Sequence, residues 1–164
     1  MADTSENLIT HLDEEVKTRT VELQAANQEL KENKDELQLI LDTTAEAIYG
    51  MDTHGICTFC NASCLRILGD ERVEDLLGQN MHAQIHHSYR DGKPMLLSDC
   101  KIIAGIISGT GTHVADEVFW KADGSSFDVE YNSYPQFMDG KVIGAVTTFT
   151  DITERKEHRM KSSI

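Results

Sequence analysis

The chain has 164 residues, 40% hydrophobic and 26% charged, with a formal net charge of −13; this is the composition of one soluble globular domain with an extension. So acidic a surface repels phosphate backbones, which excludes nucleic acid as a direct partner. No apolar run is long enough to cross a bilayer and no signal peptide is present, so a cytoplasmic segment without direct membrane contact is expected; an anchor upstream in a longer protein stays open.

Residues 1–44 contain no Gly, Pro or aromatic residue, and their 11 acidic and 4 basic residues supply −7 of the charge. Ile9, Val16, Leu23, Leu30 and Leu37 recur every seven residues, and Leu12, Ala26 and Ile40 complete an a/d register. A second register would set the leucines beside Thr20, Asn27, Lys34 and Leu41, which is less apolar. The pattern predicts a long helix with a narrow seam, suited to one partner helix and hence to a parallel homodimeric coiled coil. A solvated, monomeric charged helix is the alternative. About 38 residues would span about 57 Å, which suits a connector.

From residue 45 the pattern is mixed. "AIYGMD" and "ICTFC" (56–60) read as strands around the turn "THG", and Asn61 as the N-cap of a short helix "ASCLRIL" stopped at Gly69. "VEDLLG" and "QNMHAQIHH" read as further short helices, and "RDGKP" as a turn. Ser98 is placed to cap "DCKIIAGIIS", with Cys100, Ile103 and Ile107 on one face and Ile102 and Ile106 beside them. Three strands follow, joined at Asp123-Gly124 and Asp139-Gly140. In the middle strand Phe127, Val129 and Tyr131 alternate with Asp128, Glu130 and Asn132, while "KVIGAVTTFT" is apolar on both faces, as a central strand should be. Asp151 and Glu154 are spaced as a capping box opening a last helix. The expected fold class is α+β: a five-stranded antiparallel sheet with short helices on one face, preceded by a long coiled-coil helix.

Taken together, "MDTHG-ICTFCN" (D-x-x-G-x5-N), "LRILG", "LLGQN", "VFWKADGSSFDVEYNSYP" and "GAVTTFTDITERK" resemble a PAS sensor domain over residues 38–156. The resemblance implies a sheet cradling helices around a small cavity, which holds a ligand in some members and only side chains in others. It implies three segments: a signalling helix at 1–44, the sensor domain at 45–153, and the start of an output linker at 154–164. Sensor kinases of two-component systems, cyclic-dinucleotide enzymes and chemoreceptors carry such an arrangement. Asp151, Ile152, Thr153 and Glu154 would then relay the signal to an output domain outside this chain, and Met81, Ile103, Tyr131 and Phe149 would line the cavity. His158, exposed in a charged helix, is not read as a phosphoacceptor. Without a triad, a phosphate loop or paired carboxylates, the expectation is a regulatory module and not an enzyme.

The cofactor is open, with none or a small ligand preferred. In the flavin photoreceptor branch of the family a reactive cysteine stands where this chain has Met81 in "GQNMHAQI", and a glutamine where it has Phe149, so that photochemistry is not expected. Haem would draw on His82, His86 or His87. Cys57, Cys60, Cys64 and Cys100 match in number an iron–sulfur or zinc site, or a thiol redox switch. As cytosolic cysteines they are not read as structural disulfides. A three-residue separation on a regular strand points Cys57 and Cys60 to opposite faces, which favours plain core packing.

Overall fold

The computed structural model describes residues 2–162; Met1 and the last two residues of the expected output linker lie outside the described residues. The chain divides into two compact units, residues 1–40 and 41–164.

The first unit is almost all of helix α1 (Ala2–Asp42). The apolar seam is exposed, with Leu23 at 64% and Leu30 at 66%. Local bonds decorate the helix: Arg19 meets Glu15 at 3.1 Å, and the Thr10, Thr18 and Thr20 hydroxyls donate to carbonyls four residues back. The ion pair contributes tenths of a kcal/mol, and the hydroxyl bonds back onto the helix do not add to its stability. Among the described residues, no helix is long and apolar enough to cross a membrane.

The second unit is the expected α+β fold. Its strands are β1 (Ala47–Asp52), β2 (Cys57–Cys60), β3 (Thr112–Trp120), β4 (Ser126–Met138) and β5 (Lys141–Asp151), in the antiparallel order β2-β1-β5-β4-β3. The helices are α2 (Ala62–Leu68), α3 (Met81–Ile85), α4 (Lys101–Ser108) and α5 (Thr153–Ser162). Alternation in β4 turns Phe127, Val129 and Tyr131 into the core, and β5 is central, with Ala145, Thr147 and Phe149 buried. At Gly144 a Cβ would lie 2.1 Å from the Met51 carbonyl oxygen, so only glycine lets β5 approach β1.

Asn61 fastens the start of the domain. Its Oδ1 accepts from Cys64 N, capping α2, and from Ile48 N on β1, both at 3.0 Å. Its Nδ2 donates to the carbonyls of Leu41 and Glu46, both at 2.9 Å. This one fully buried side chain therefore joins the last turn of α1, β1 and α2.

Several local expectations are corrected. The helices expected over 73–78 and 79–87 shorten to a 3-10 turn, Val73–Asp75, and to the five residues of α3. Ser98 does not cap α4; it lies in a 3-10 turn, and extended Cys100 is the cap residue. The buried face of α4 is Ile102, Gly105 and Ile106, while Ile107 is 81% exposed. The buried stripe of α4 thus runs through 102 and 106, one residue round the helix from the expected 103 and 107.

Candidate functional site

Two β-bulges bring chemistry into the core. In β2, Met51 pairs with Cys57, Gly50 with Phe59 and Tyr49 with Cys60, so Thr58 is the extra residue. The bulge reverses the alternation, and Cys57 and Cys60 both turn inward beside Met51 and Tyr49, at 3% and 1% exposure. The expectation that they face opposite ways is corrected: regular alternation does not survive an inserted residue. Cys64, in the first turn of α2, completes the group. The Cys60 sulfur is in hydrogen-bonding reach of both neighbours, whose S–H donors draw its pKa well below the ordinary thiol value. The same contacts and burial push Cys57 and Cys64 up.

The bulge in β3 sets Ala115 and Asp116 opposite Glu130, so Glu117 faces Val129 and shares the inward face with Val114. Glu117 Oε1 accepts from the Tyr131 hydroxyl at 2.7 Å and bonds His86 Nε2 at 2.8 Å, while Oε2 meets Lys101 Nζ at 3.3 Å. Burial alone would raise the carboxyl pKa, but the bonds from His86 and Tyr131 outweigh it and hold it down at about 2. The same balance acts on His86. Burial pushes it down, but Cys100, 3.3 Å from Nδ1, and Glu117 hold it up at about 9. Burial together with Glu117 raises Tyr131.

Behind this network lies a narrow void, lined among others by Tyr49, Met81, His82, His86, Cys100 and Ile103 and too tight to admit a water molecule. It is far smaller than the roughly 300–1,000 Å³ of ordinary small-molecule pockets. Of the four expected cavity residues, Met81 and the partly buried Ile103 line it; Tyr131 and Phe149 are buried beside it in an aromatic cluster with Phe119 (centroids 5.2 and 5.3 Å from Phe119). Of the three histidines considered for haem, His82 and His86 face the void. His87 instead stacks on Trp120 at 5.3 Å and bonds Ser88. Cys100 sits with the histidines, apart from the three clustered cysteines in the bonds it makes.

Outside the void is a surface groove of about 520 Å³, lined by Tyr89, Arg90, Asp91, Met95, Asp116 and Glu117 among others. Arg90 reaches from it to the Asp128 carboxylate on β4. Asp128 also meets Lys156 at 3.5 Å, its carbonyl accepts from Ile152 N at 2.9 Å, and its N–H donates to Thr153 Oγ1 at 3.2 Å. Glu130 holds Arg155 at 3.3 Å. Asp151 accepts from Thr153 N at 3.0 Å, Ile152 is buried, and Glu154 is exposed. The sequence drew attention to Asp151 and not to Asp128, Glu117 or Arg90. For Asp128 the one local signal was an outward charge on a clean strand, a position where most charges are only solvated.

A family model described as the PAS fold matches residues 35–152. The chain is 27% identical over 137 residues to a probable diguanylate cyclase, DgcE, of Escherichia coli (strain K12); the match takes in 83% of this chain and 12% of that one. The chain thus spans about one eighth of that curated relative. Among solved structures, the PAS domain of a protein from Colwellia psychrerythraea has a TM-score of 0.60 at 19% identity, covering 77% of this chain and 98% of that one. The PAS domain of nitrogen regulation protein NR(II) from Vibrio parahaemolyticus has a TM-score of 0.55 at 16% identity, covering 70% and 96%. At such identities the structural likeness is one of fold.

Proposed function

As the chain belongs to the PAS family, we propose that it is the sensor and relay module of a longer signalling protein, dimerised through a parallel coiled coil of α1 and acting on an output domain beyond α5. The observation that carries this reading is the position of Asp128. One side chain holds the groove through Arg90 and α5 through Lys156, and its backbone holds Ile152 and Thr153. A change at the groove or at Glu117 thus has a contiguous route to the first turn of the outgoing helix. Exposed ion pairs contribute little individually, about 0–1 kcal/mol, but an output balanced within a few kcal/mol is biased by such amounts. The similarity to a diguanylate cyclase supports an output enzyme of that signalling class.

The test is Asp128→Ala in this chain, followed by hydrogen exchange. Faster exchange over both 88–95 and 152–160, with the sheet still protected, is the expected result. Unchanged protection of 152–160 would remove Asp128 from the relay. In the longer protein the same substitution should shift basal output.

The clustering of Cys57, Cys60 and Cys64 supports a second reading, a thiol redox sensor. Hydrogen peroxide would oxidise Cys60 with Cys57 or Cys64 to a disulfide, the two thiol protons leaving as the peroxide is reduced to two waters. Mass spectrometry of peroxide-treated, folded chain should show loss of two hydrogens confined to residues 57–64. A mass unchanged, or oxidation only at methionine, would discard it.

A further inference from the structure

We propose that His82, His86 and Cys100 form a buried binding site for a borderline-soft divalent cation of the zinc class. One donor atom from each of the three residues lies within 4.8 Å of the others, and His86 Nδ1 is already 3.3 Å from the Cys100 sulfur. Tetrahedral zinc, with bonds of about 2.0–2.1 Å to nitrogen and 2.3 Å to sulfur, sets its donors about 3.3–3.7 Å apart. The donors therefore need to close by up to about 1.5 Å, within reach of side-chain rotations.

The outer ring nitrogens are committed in the way that metal-binding imidazoles require. His82 Nε2 bonds the Met95 carbonyl at 3.0 Å, which must be an N–H donation, so its Nδ1 is the lone-pair nitrogen. That Nδ1 is buried without a partner. His86 Nε2 bonds the Glu117 carboxylate in the same sense, which aims Nδ1 at Cys100. A carboxylate behind a ligating imidazole orients the ring and raises its basicity.

The unpartnered His82 Nδ1 lies on the wall of the narrow void that His86 and Cys100 also line, so an ion drawn in there takes up a lone pair that nothing else satisfies. The ion carries in a water as its fourth ligand. The Cys100 thiolate and Glu117 set two negative charges beside the dication, with the half-exposed Lys101 at the other oxygen of Glu117. As the ion enters, the Cys100 thiol proton and the proton on His86 Nδ1 leave. This set joins the one cysteine outside the 57–64 cluster to two histidines, and it stands whether or not the domain signals through Asp128.

The experiment uses the full, untagged chain, reduced and metal-free. Cobalt(II) is titrated as the probe, followed by zinc(II) in competition. One equivalent of cobalt should give tetrahedral ligand-field bands and a sulfur charge-transfer band, both removed by zinc. Cys100→Ser should abolish the charge-transfer band. His82→Gln and His86→Gln should weaken binding at least tenfold, and Glu117→Gln by 10- to 100-fold as an outer partner. The triple change Cys57→Ser, Cys60→Ser, Cys64→Ser should leave the spectrum intact. X-ray absorption at the zinc edge of the unmodified chain supplies a readout that needs no variant to fold: one sulfur with nitrogen and oxygen neighbours is expected. Two or three sulfurs would put the ion at Cys57, Cys60 and Cys64 and overturn the assignment, as would absence of binding or a charge-transfer band that survives Cys100→Ser.

Discussion

Replacing Asn61 by alanine removes the side chain on which the start of the domain converges. The carbonyls of Leu41 and Glu46 that it serves keep other donors in Thr44, whose N–H reaches Leu41 at 3.3 Å and whose hydroxyl reaches Glu46 at 3.1 Å. The two amides that donate to its Oδ1, Ile48 N and Cys64 N, have no such substitute among the described bonds. Each buried amide left unpaired costs about 1–3 kcal/mol, so the pair costs about 2–6 kcal/mol. Against a typical domain stability of about 5–15 kcal/mol this is a large fraction. Asn80→Ala is the control: Asn80 caps α3 through Ala83 N at 3.1 Å in an exposed setting, and its loss should cost only about 1 kcal/mol. Equilibrium urea unfolding can be followed on the single tryptophan, Trp120, whose Nε1 donates to the Ser88 carbonyl at 2.9 Å. With a slope of about 1.5 kcal/mol per M, a loss of about 3 kcal/mol moves the midpoint by about 2 M. A shift no larger for Asn61→Ala than for Asn80→Ala, at unchanged slope, would refute the count of orphaned amides.

Gly144→Ala should destabilise the domain by about 3 kcal/mol or more, because the new Cβ meets the Met51 carbonyl oxygen across the β1–β5 pairing; a thermal melt within a degree of the unmodified chain would contradict this. Leu23→Glu with Leu30→Glu should convert a dimer to a monomer by light scattering, since both side chains lie on the exposed seam of α1 and would bury charge in a coiled coil; a monomeric unmodified chain at micromolar concentration would end the dimer proposal. Asp151→Ala removes the acceptor for Thr153 N and should loosen the first turn of α5 by about 1 kcal/mol, read as faster hydrogen exchange over 152–160 with the sheet unchanged. Equal exchange in both proteins would leave that turn to Asp128 alone.

What could be read from the sequence is what neighbouring residues decide among themselves. Phe127, Val129 and Tyr131 alternate with charges, so the strand and its inward face were legible, and Asp-Gly at 123–124 and 139–140 marked the turns. Asn61 announced a helix cap because its partner is three residues away. The seven-residue spacing in α1 foretold a helix, though not what covers its seam. The contents of the core were decided otherwise. Whether Cys57 and Cys60 share a face depends on an extra residue in β2, and a bulge is a property of the pairing with β1, invisible along one strand. Glu117 turns inward for the same reason on β3, where it meets a histidine 31 residues away. Asp128 was an outward charge on an alternating strand until folding brought Arg90, Ile152, Thr153 and Lys156 around it. Periodicity tells which way a side chain points while the backbone stays regular; the partner strand decides where that regularity breaks, and at the breaks in β2 and β3 the core of this protein acquired its reactive groups.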